Sequence, residues 1–342
     1  MQAIMEKKQR NNSIDLFRYL CAVLVVIIHS SFWRQWGTFG YFLGEILTRI
    51  AVPFFFAVSG YFFIQKLEIG KPVFWKQFWH LLSVYAVWSF LYLLIDFKNQ
   101  VLLGEISVFS FFREFLFSFF IFGSQGHFWF FPAIIISSII VALAYGLKLS
   151  KMLLPASIIL YLIGCLGCSY FGLGVKIPIL GKLFEHPYFT AARRIFMMGL
   201  PFFCSGLLVL RLKKALKRKK SLLILWICSA VFFLAEIFAV NYFQLAANII
   251  ITVGLYCLLV FTLLLLLQYP LSRWGRVAPV ARSMANITYY SHPLFLLLFS
   301  YWQKLPNFVV FLISIFVTGL LGLGLHLILA RKNCKLLRLF VG

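Results

Sequence analysis

Long apolar stretches follow one another along the chain, and most have the length that a membrane-spanning helix requires. About 20 predominantly apolar residues are needed, because the hydrocarbon core is about 30 Å thick and a helix rises about 1.5 Å per residue. Ten stretches meet this requirement, at about 14–33, 45–65, 77–97, 127–147, 152–172, 193–211, 221–240, 246–268, 285–303 and 308–329. The pattern predicts an all-α integral membrane protein. We expect a polytopic bundle of about ten transmembrane helices that forms one domain over 1–342, with no soluble domain.

The stretch 107–123, SVFSFFREFLFSFFIFG, is also apolar, but Arg113 and Glu114 occupy its centre and aromatic residues lie towards its edges. Central charges and flanking aromatic rings are typical of a helix that lies in the membrane interface. We therefore expect an interfacial helix here rather than an eleventh span.

The positive charges between the spans predict the orientation of the chain. With the N-terminus in the cytoplasm, 22 of the 32 Lys and Arg fall in cytoplasmic segments and 8 in outer segments. Arg193 and Arg194, at the start of the sixth span, are counted with the outer segments. The remaining two, Arg18 and Arg49, lie within spans, and the largest cytoplasmic cluster is RLKKALKRKK at 211–220. Helical membrane proteins carry an excess of Lys and Arg in their cytoplasmic loops. Both termini are therefore predicted to be cytoplasmic, which agrees with an even number of spans.

Composition supports a membrane protein and narrows its partners. The chain is 63% hydrophobic and 12% charged, whereas soluble domains contain about 25% charged residues. A net charge of +23 would suggest nucleic acid in a soluble protein, but here it fits cytoplasmic loops that face anionic lipid headgroups. The lipid bilayer is thus an expected partner and nucleic acid is not. Cys165 and Cys168 lie in a small-residue stretch without a second ligand pair, so no metal site is expected.

The first span contains ionisable residues that a lipid-facing helix would not keep: IDLFRYLCAVLVVIIHS, residues 14–30. Arg18 and His29 are eleven residues apart, so they share one helix face at a separation of about 16 Å. Asp15 lies near the same face and can pair with Arg18. An ionisable group in mid-membrane costs a few kcal/mol unless it faces protein or water. We interpret Arg18 and His29 as catalytic, and the structural alternative is that His29 is a packed, hydrogen-bonded histidine.

Further spans contain candidates for a shared substrate site, namely Arg49, Ser59, His127, Trp129, Tyr290 and His292. Structural alternatives exist, because Arg49 could reach the outer headgroups and the aromatic residues near 127 could form an interfacial belt. Glu236 is the only carboxylate well inside the predicted helices. We interpret it either as a proton site or as the partner of an arginine.

An ordered set of motifs extends over essentially the whole chain. Arginine, ten residues and histidine in the first span are followed in later spans by VPFFFAVSGYF, HFWFFPAI, LPFFCSGLL and YYSHPLF. This set resembles the membrane acyltransferase 3 family. The resemblance implies an O-acetyltransferase of the bacterial cytoplasmic (plasma) membrane, which transfers acetyl from cytoplasmic acetyl-CoA to a hydroxyl of a cell-envelope carbohydrate or related acceptor. The segment RIAVPFFFAVSGYF is particularly similar to the membrane half of membrane-bound serine racemases. Their soluble racemase half is not in the sequence, so racemisation is not expected.

The donor side of this reaction has candidate residues at the cytoplasmic ends of the spans. Acetyl-CoA is expected as a co-substrate, with no bound cofactor. Its phosphates would meet Arg18 and the arginines of the loop before the ninth span, which are Arg273, Arg276 and Arg282. Arginine suits this task because its planar fork binds phosphate in a bidentate manner.

The chemical step would take place deeper in the membrane. An imidazole titrates near neutral pH, so His29 can act as general base on the acceptor hydroxyl. His292, Tyr290 or Ser59 would then donate hydrogen bonds to the oxyanion. We expect Arg18 and His29 to line one common passage, in which the thioester of acetyl-CoA reacts with the acceptor hydroxyl. Direct transfer and a covalent histidine intermediate both remain open.

Two other classes of function remain open. A transporter or flippase of an amino acid or an envelope precursor also needs charges inside the membrane. Such proteins often have broken helices at corresponding positions of two halves, but Pro53 in one half does not correspond to Pro279 or Pro293 in the other. A structural subunit of an envelope complex would leave Arg18 and His29 on one face without a role.

Overall fold

Helices are the only regular secondary structure in the computed structural model, which describes residues 11–102, 104–216, 218–300, 305–332 and 334–341. The principal helices are α1 (Asn12–Ser30), α2 (Ala51–Glu68), α3 (Phe74–Phe97), α4 (Val108–Ile121), α5 (Phe130–Gly146), α6 (Ser150–Leu166), α7 (Leu200–Ala215), α8 (Lys219–Tyr242), α9 (Val253–Gln268), α10 (Val277–Ser300), α11 (Asn307–Arg331) and α12 (Lys335–Val341). Apart from α4 and α12, they follow the predicted spans in order. The predicted all-α polytopic membrane fold is confirmed. The end of the ninth predicted span, 301–303, lies outside the described residues.

The lengths of the helices fit a membrane protein. Six helical stretches are long and apolar enough to cross a bilayer: Asn12–Ser30, Phe32–Glu68, Phe74–Leu102, Phe189–Ala215, Lys219–Tyr242 and Asn307–Arg331. Helices α5, α6 and α9 are apolar but shorter. Helix α4 has 14 residues, or about 21 Å, and its Arg113 and Glu114 are exposed and lie 3.8 Å apart. This length and exposure agree with an interfacial helix.

Two predicted spans begin earlier than expected. The second, predicted over 45–65, is the end of a continuous helical stretch from Phe32, in which 3₁₀ and π turns lead into α2. Helix α10 begins at Val277 rather than at 285. Polar residues near its start interrupt the apolar pattern, but Arg282, Ser283 and Asn286 form hydrogen bonds with residues of α1, α11 and α12.

The eighth predicted span begins later than expected, at Val253 rather than at 246. Thr252 is the N-cap residue, with its hydroxyl oxygen accepting from Leu255 N at 3.2 Å, and Glu236 of α8 completes the cap. Its carboxylate accepts hydrogen bonds from Val253 N at 2.7 Å, Gly254 N at 2.5 Å and the Tyr170 hydroxyl at 2.6 Å. A negative charge satisfies the free N–H groups of a helix start and interacts favourably with its dipole. The structure thus gives Glu236 a capping role, with no arginine partner among the described residues.

Helices α2 and α7 cross with their backbones in contact. A Cβ atom at Gly60 would overlap the backbone of Phe203, and one at Gly206 would overlap that of Tyr61. Small residues allow this close approach between membrane helices. Two of the motifs, VSGYF and CSGLL, therefore contain glycines that position α2, the helix that carries Ser59.

The C-terminal helix α12 packs against the bundle. The Trp88 indole N–H donates to Phe340 O at 3.2 Å, and the Asn286 amide donates to Val341 O at 2.8 Å. Helix α10, which carries Asn286, also packs against α1 and α11. Helix α10 therefore packs between three other helices of the bundle.

Candidate active site

Three histidines that are distant in the sequence meet inside the bundle. The ring centroid of His292 in α10 is 5.1 Å from that of His29 in α1 and 5.2 Å from that of His127, just before α5. His127 and His292 are buried, at 5% and 0% exposure, whereas His29 is exposed. The sequence predicted each of them as a site residue, and the structure joins them in one group, which we call the histidine cluster.

The orientation of His292 follows from the proline beside it. Pro293 has no N–H, so the carbonyl of Tyr289, four residues earlier, lacks its usual helical donor. Nδ1 of His292 lies 3.0 Å from Tyr289 O and 3.0 Å from Thr288 O. Because a carbonyl oxygen only accepts, Nδ1 carries the proton, and Nε2 of the neutral ring is an acceptor. This Nε2 is buried without a hydrogen-bond partner among the described residues. His292 therefore contributes a buried, vacant acceptor to the cluster.

Further hydrogen bonds hold α3 and the segment just before α5 against the middle of α10. The Tyr92 hydroxyl donates to Tyr290 O at 2.9 Å, and Nε2 of His127 lies 3.4 Å from the same carbonyl. The Tyr289 hydroxyl donates to His127 O at 2.7 Å. Since Nε2 of His127 faces an acceptor, it carries the proton and leaves Nδ1 as an acceptor. His127 and His292 are thus held by hydrogen bonds, and His29 contacts the cluster through the ring of His292.

A cavity of about 230 Å³ opens beside the cluster at the C-terminal end of α1, which is the outer end in the predicted orientation. We call it the outer cavity, and its polar and aromatic lining includes His29, Thr48, Arg49, His127, Trp129, Arg193, Arg194 and Tyr289. Arg49 lies here and does not merely reach the headgroups. Its guanidinium pairs with the carboxylate of Glu45, one turn earlier, and its Nε donates to Glu45 O at 2.7 Å.

A second and larger cavity, of about 500 Å³, extends beside the N-terminal half of α1. We call it the inner cavity, and its polar lining includes Arg18, Ser59, Lys66, Lys76, Gln77, His80, Arg282, Asn286 and Tyr290. The carboxylate of Asp15 lies 3.6 Å from Arg18 Nη1 and 2.8 Å from Arg282 Nη2. The predicted pairing of Asp15 with Arg18 is confirmed, and the structure adds Arg282 to it.

A layer of aromatic rings separates the two cavities. Phe55 and Phe130 line the inner cavity, Tyr289 lines the outer one, and the Tyr289 ring centroid is 5.9 Å from that of Phe55 and 5.7 Å from that of Phe130. The expectation that Arg18 and His29 line one common passage is therefore wrong. The two residues share a face of α1 but line different cavities, and Phe55, Phe130 and Tyr289 contact one another where the linings meet.

Two predicted site residues lie elsewhere, and two others were missed. Arg273 and Arg276 are exposed in the loop before α10 and line neither cavity.

Arg193 and Arg194 were counted only as outer charges, yet they occupy a π-helical segment, Arg193–Gly199, that leads into α7. Adjacent arginines at the outer end of a span run against the positive-inside rule. Their departure from the positive-inside rule was the sequence feature that could have marked them as site residues.

Known proteins with similar sequences carry racemase names. An amino-acid racemase of Enterococcus faecalis is 30% identical over 230 residues, which cover 64% of this chain and 32% of that protein. The serine/alanine racemase of Enterococcus gallinarum is 30% identical over 215 residues, which cover 58% of this chain and 29% of that protein. The match thus spans about a third or less of each relative. No solved structure matches the chain significantly.

The family comparison covers much more of the chain. A family model described as an acyltransferase domain matches residues 11–327. This range contains the histidine cluster and both cavities, as well as every motif of the resemblance. The chain is a multi-pass membrane protein, and it belongs to the acyltransferase 3 family.

Proposed function

We propose that the protein is a membrane O-acyltransferase, and specifically an O-acetyltransferase. It would take acetyl from cytoplasmic acetyl-CoA and place it on a hydroxyl of a cell-envelope carbohydrate or related acceptor. The family supports acyl transfer in general. The observation that carries the proposal is the position of the histidine cluster, since His29 borders the outer cavity and the ring of Tyr289, which also lines that cavity, contacts Phe55 of the inner one.

The inner cavity is the proposed donor site. It faces the predicted cytoplasmic side and is lined by Arg18, Arg282, Lys66 and Lys76, which suit the phosphates of coenzyme A. Asp15 contacts both arginines and thereby limits the orientations of their guanidinium groups. A volume of about 500 Å³ is within the usual range for small-molecule sites.

His29 is the proposed general base. Its ring lies beside His292, whose Nε2 is an acceptor without a partner among the described residues. If His29 donates one N–H to that nitrogen, its other nitrogen becomes an acceptor for the proton of a bound alcohol. A base that is oriented by a third group follows the logic of catalytic triads. His292 is accordingly a positioning residue.

The reaction can be written with all bonds balanced. His29 takes the hydroxyl proton as the acceptor oxygen bonds to the thioester carbonyl carbon. The resulting oxyanion is stabilised by Ser59 or Tyr290, which line the inner cavity. Collapse of this intermediate breaks the carbon–sulfur bond, and the thiolate of coenzyme A receives the proton from His29. Because the aromatic layer lies in the path, Phe55 or Phe130 has to rotate for the acyl group to meet the alcohol.

The experiment that tests this proposal compares His29→Ala with His186→Ala. His186 is exposed in the segment between α6 and α7 and serves as a matched control. Mass spectrometry of envelope glycans and small molecules should reveal one species that gains an acetyl group with the gene. Transfer from labelled acetyl-CoA to that species should fall about 10²–10⁴-fold in His29→Ala and stay unchanged in His186→Ala. Full activity of a folded His29→Ala protein would contradict the assignment.

Transport is a second candidate because two cavities end at opposite faces of one aromatic layer. That arrangement is also what a carrier with alternating access requires, and the name of one relative includes serine and alanine. On this hypothesis the chain would carry an amino acid. Uptake of labelled serine by liposomes that contain the protein and no acyl donor would support it, and uptake equal to that of protein-free liposomes would exclude it.

A further inference from the structure

The outer cavity has an excess of positive charge that the proposed reaction leaves unexplained. Three arginines line it, namely Arg49, Arg193 and Arg194. Arg49 is paired with Glu45. Among the described residues, no carboxylate lies within salt-bridge distance of Arg193 or Arg194. Two neighbouring guanidinium groups thus share a half-buried cavity without a counter-ion, an arrangement that repulsion and desolvation make unfavourable.

The contacts that the two arginines do make leave their N–H groups available. The Arg194 guanidinium lies 5.5 Å from the Trp129 ring centroid, and that of Arg193 lies 5.9 Å from the Phe189 ring centroid. Cation–π contact uses the charge near a ring face and leaves donors for other partners. The hydrogen bond of Arg193 in the described structure is to the Cys168 sulfur at 3.4 Å, and a thiol is a weak acceptor.

The chain places both arginines beside the reacting group. Arg193 and Arg194 are consecutive in a π-helical segment, where successive side chains diverge less than in the narrower α-helix. Helical turns of this type are frequent at functional sites. His29 and His127 line the same cavity, so an anion held by the arginines would lie close to the proposed base.

We propose that the outer cavity recognises the acceptor through an oxyanion, a carboxylate or a phosphate, that the acceptor carries near the hydroxyl to be acylated. This inference rests on the proposed function and specifies its substrate class. Arginine binds either oxyanion in a bidentate manner. The cavity volume of about 230 Å³ is below the usual range for drug-sized ligands. It therefore fits the reactive end of an acceptor, such as one acidic sugar or one phosphorylated polyol unit.

Binding of matched probes to the full-length protein tests the proposal without any acyl transfer. Glucuronate is compared with glucose, and glycerol 3-phosphate with glycerol, by ligand-dependent thermal stabilisation in the absence of acetyl-CoA. The pairs separate a carboxylate from a phosphate requirement. At least one anionic probe should bind about tenfold or more tightly than its neutral partner, since hydrogen bonds to charged groups are stronger than neutral ones. Equal binding within both pairs would overturn the proposal.

Variants locate the effect. Arg193→Gln/Arg194→Gln should abolish the preference for the anion, whereas Lys176→Gln/Lys182→Gln should keep it. The control removes the same charge from exposed residues of the segment between α6 and α7. If the arginine double variant fails to fold, Arg194→Lys can replace it, since lysine keeps the positive charge but lacks the planar guanidinium group. The preference of this variant for the anionic probe should fall severalfold. A preference that persists undiminished in the folded arginine variants would overturn the proposal.

Transfer assays then distinguish this inference from the reaction on which it rests. Preferential binding of anions, together with no acetyl transfer to any acceptor, would keep the anion site and count against the proposed acyltransferase. Acetyl transfer to anionic and neutral acceptors with equal KM would keep the acyltransferase and overturn the oxyanion requirement.

Discussion

The inner and outer cavities are both lined by arginines, but they hold those arginines in different ways. In the inner cavity one carboxylate, Asp15, contacts both Arg18 and Arg282. In the outer cavity Arg193 and Arg194 have no such partner among the described residues. The first arrangement fixes the directions of two forks towards a large cavity, whereas the second leaves charge for a ligand to neutralise. The difference suggests a polyanionic donor on one side and a small anionic acceptor on the other.

A substitution that forces α2 away from α7 should damage the protein most, because α2 lines both cavities. Gly206→Leu would place a side chain where the backbones touch, and we expect a loss of about 3 kcal/mol of stability, at the upper end for overpacking. Thermal unfolding in detergent measures this loss. Gly324→Leu is the control, since a Cβ at Gly324 meets nothing within 4 Å. Equal stability of the two variants would contradict the close crossing.

The next effect concerns the histidine cluster between the cavities. His292→Leu should lower kcat by about 10²-fold, because His29 loses the acceptor that orients it. His292→Gln keeps a side-chain acceptor and should recover part of the activity. The KM values of both substrates should change little, since His292 touches neither. A steady-state assay that finds equal kcat for the two variants, or a change in KM alone, would refute the positioning role.

A smaller change, in the KM for acetyl-CoA alone, would best distinguish the roles of the two cavities. Arg282→Gln should raise the KM for acetyl-CoA about tenfold, which is the value of one charge-assisted hydrogen bond, and leave the KM for the acceptor unchanged. Arg276→Gln, on the same predicted side but exposed in the loop, should change neither constant. An increase in the acceptor KM for Arg282→Gln would show that the inner cavity is not dedicated to the donor.

Apolar periodicity predicts this fold well, because crossing a bilayer imposes a length on each helix. The predicted boundaries are wrong where polar residues face protein, as at Arg282, or where a buried cap starts a helix, as Glu236 does for α9. A helix face can be computed from one sequence, so the pairing of Asp15 with Arg18 was predictable. The meeting of His29, His127 and His292 depends on how three helices pack, and a single sequence without tertiary contacts does not determine it.

The aromatic layer between the cavities could not be predicted from the sequence either. Spacing places Arg18 and His29 on one face of α1, and nothing local indicates that Phe55, Phe130 and Tyr289 converge between them. The arginines of the outer cavity illustrate the same limit, since Arg193 and Arg194 are distant in sequence from every other residue of that cavity except Met198.

On the proposed mechanism, donor and acceptor occupy different cavities, and His29 lies beside the boundary between them. The most direct test is a cryo-electron microscopy structure with the non-hydrolysable acetyl-CoA analogue acetonyl-CoA. We expect the coenzyme A phosphates to lie against Arg18 and Arg282, with the acetonyl group at the layer formed by Phe55 and Phe130. An analogue seated in the outer cavity among Arg49, Arg193 and Arg194 would contradict this mechanism.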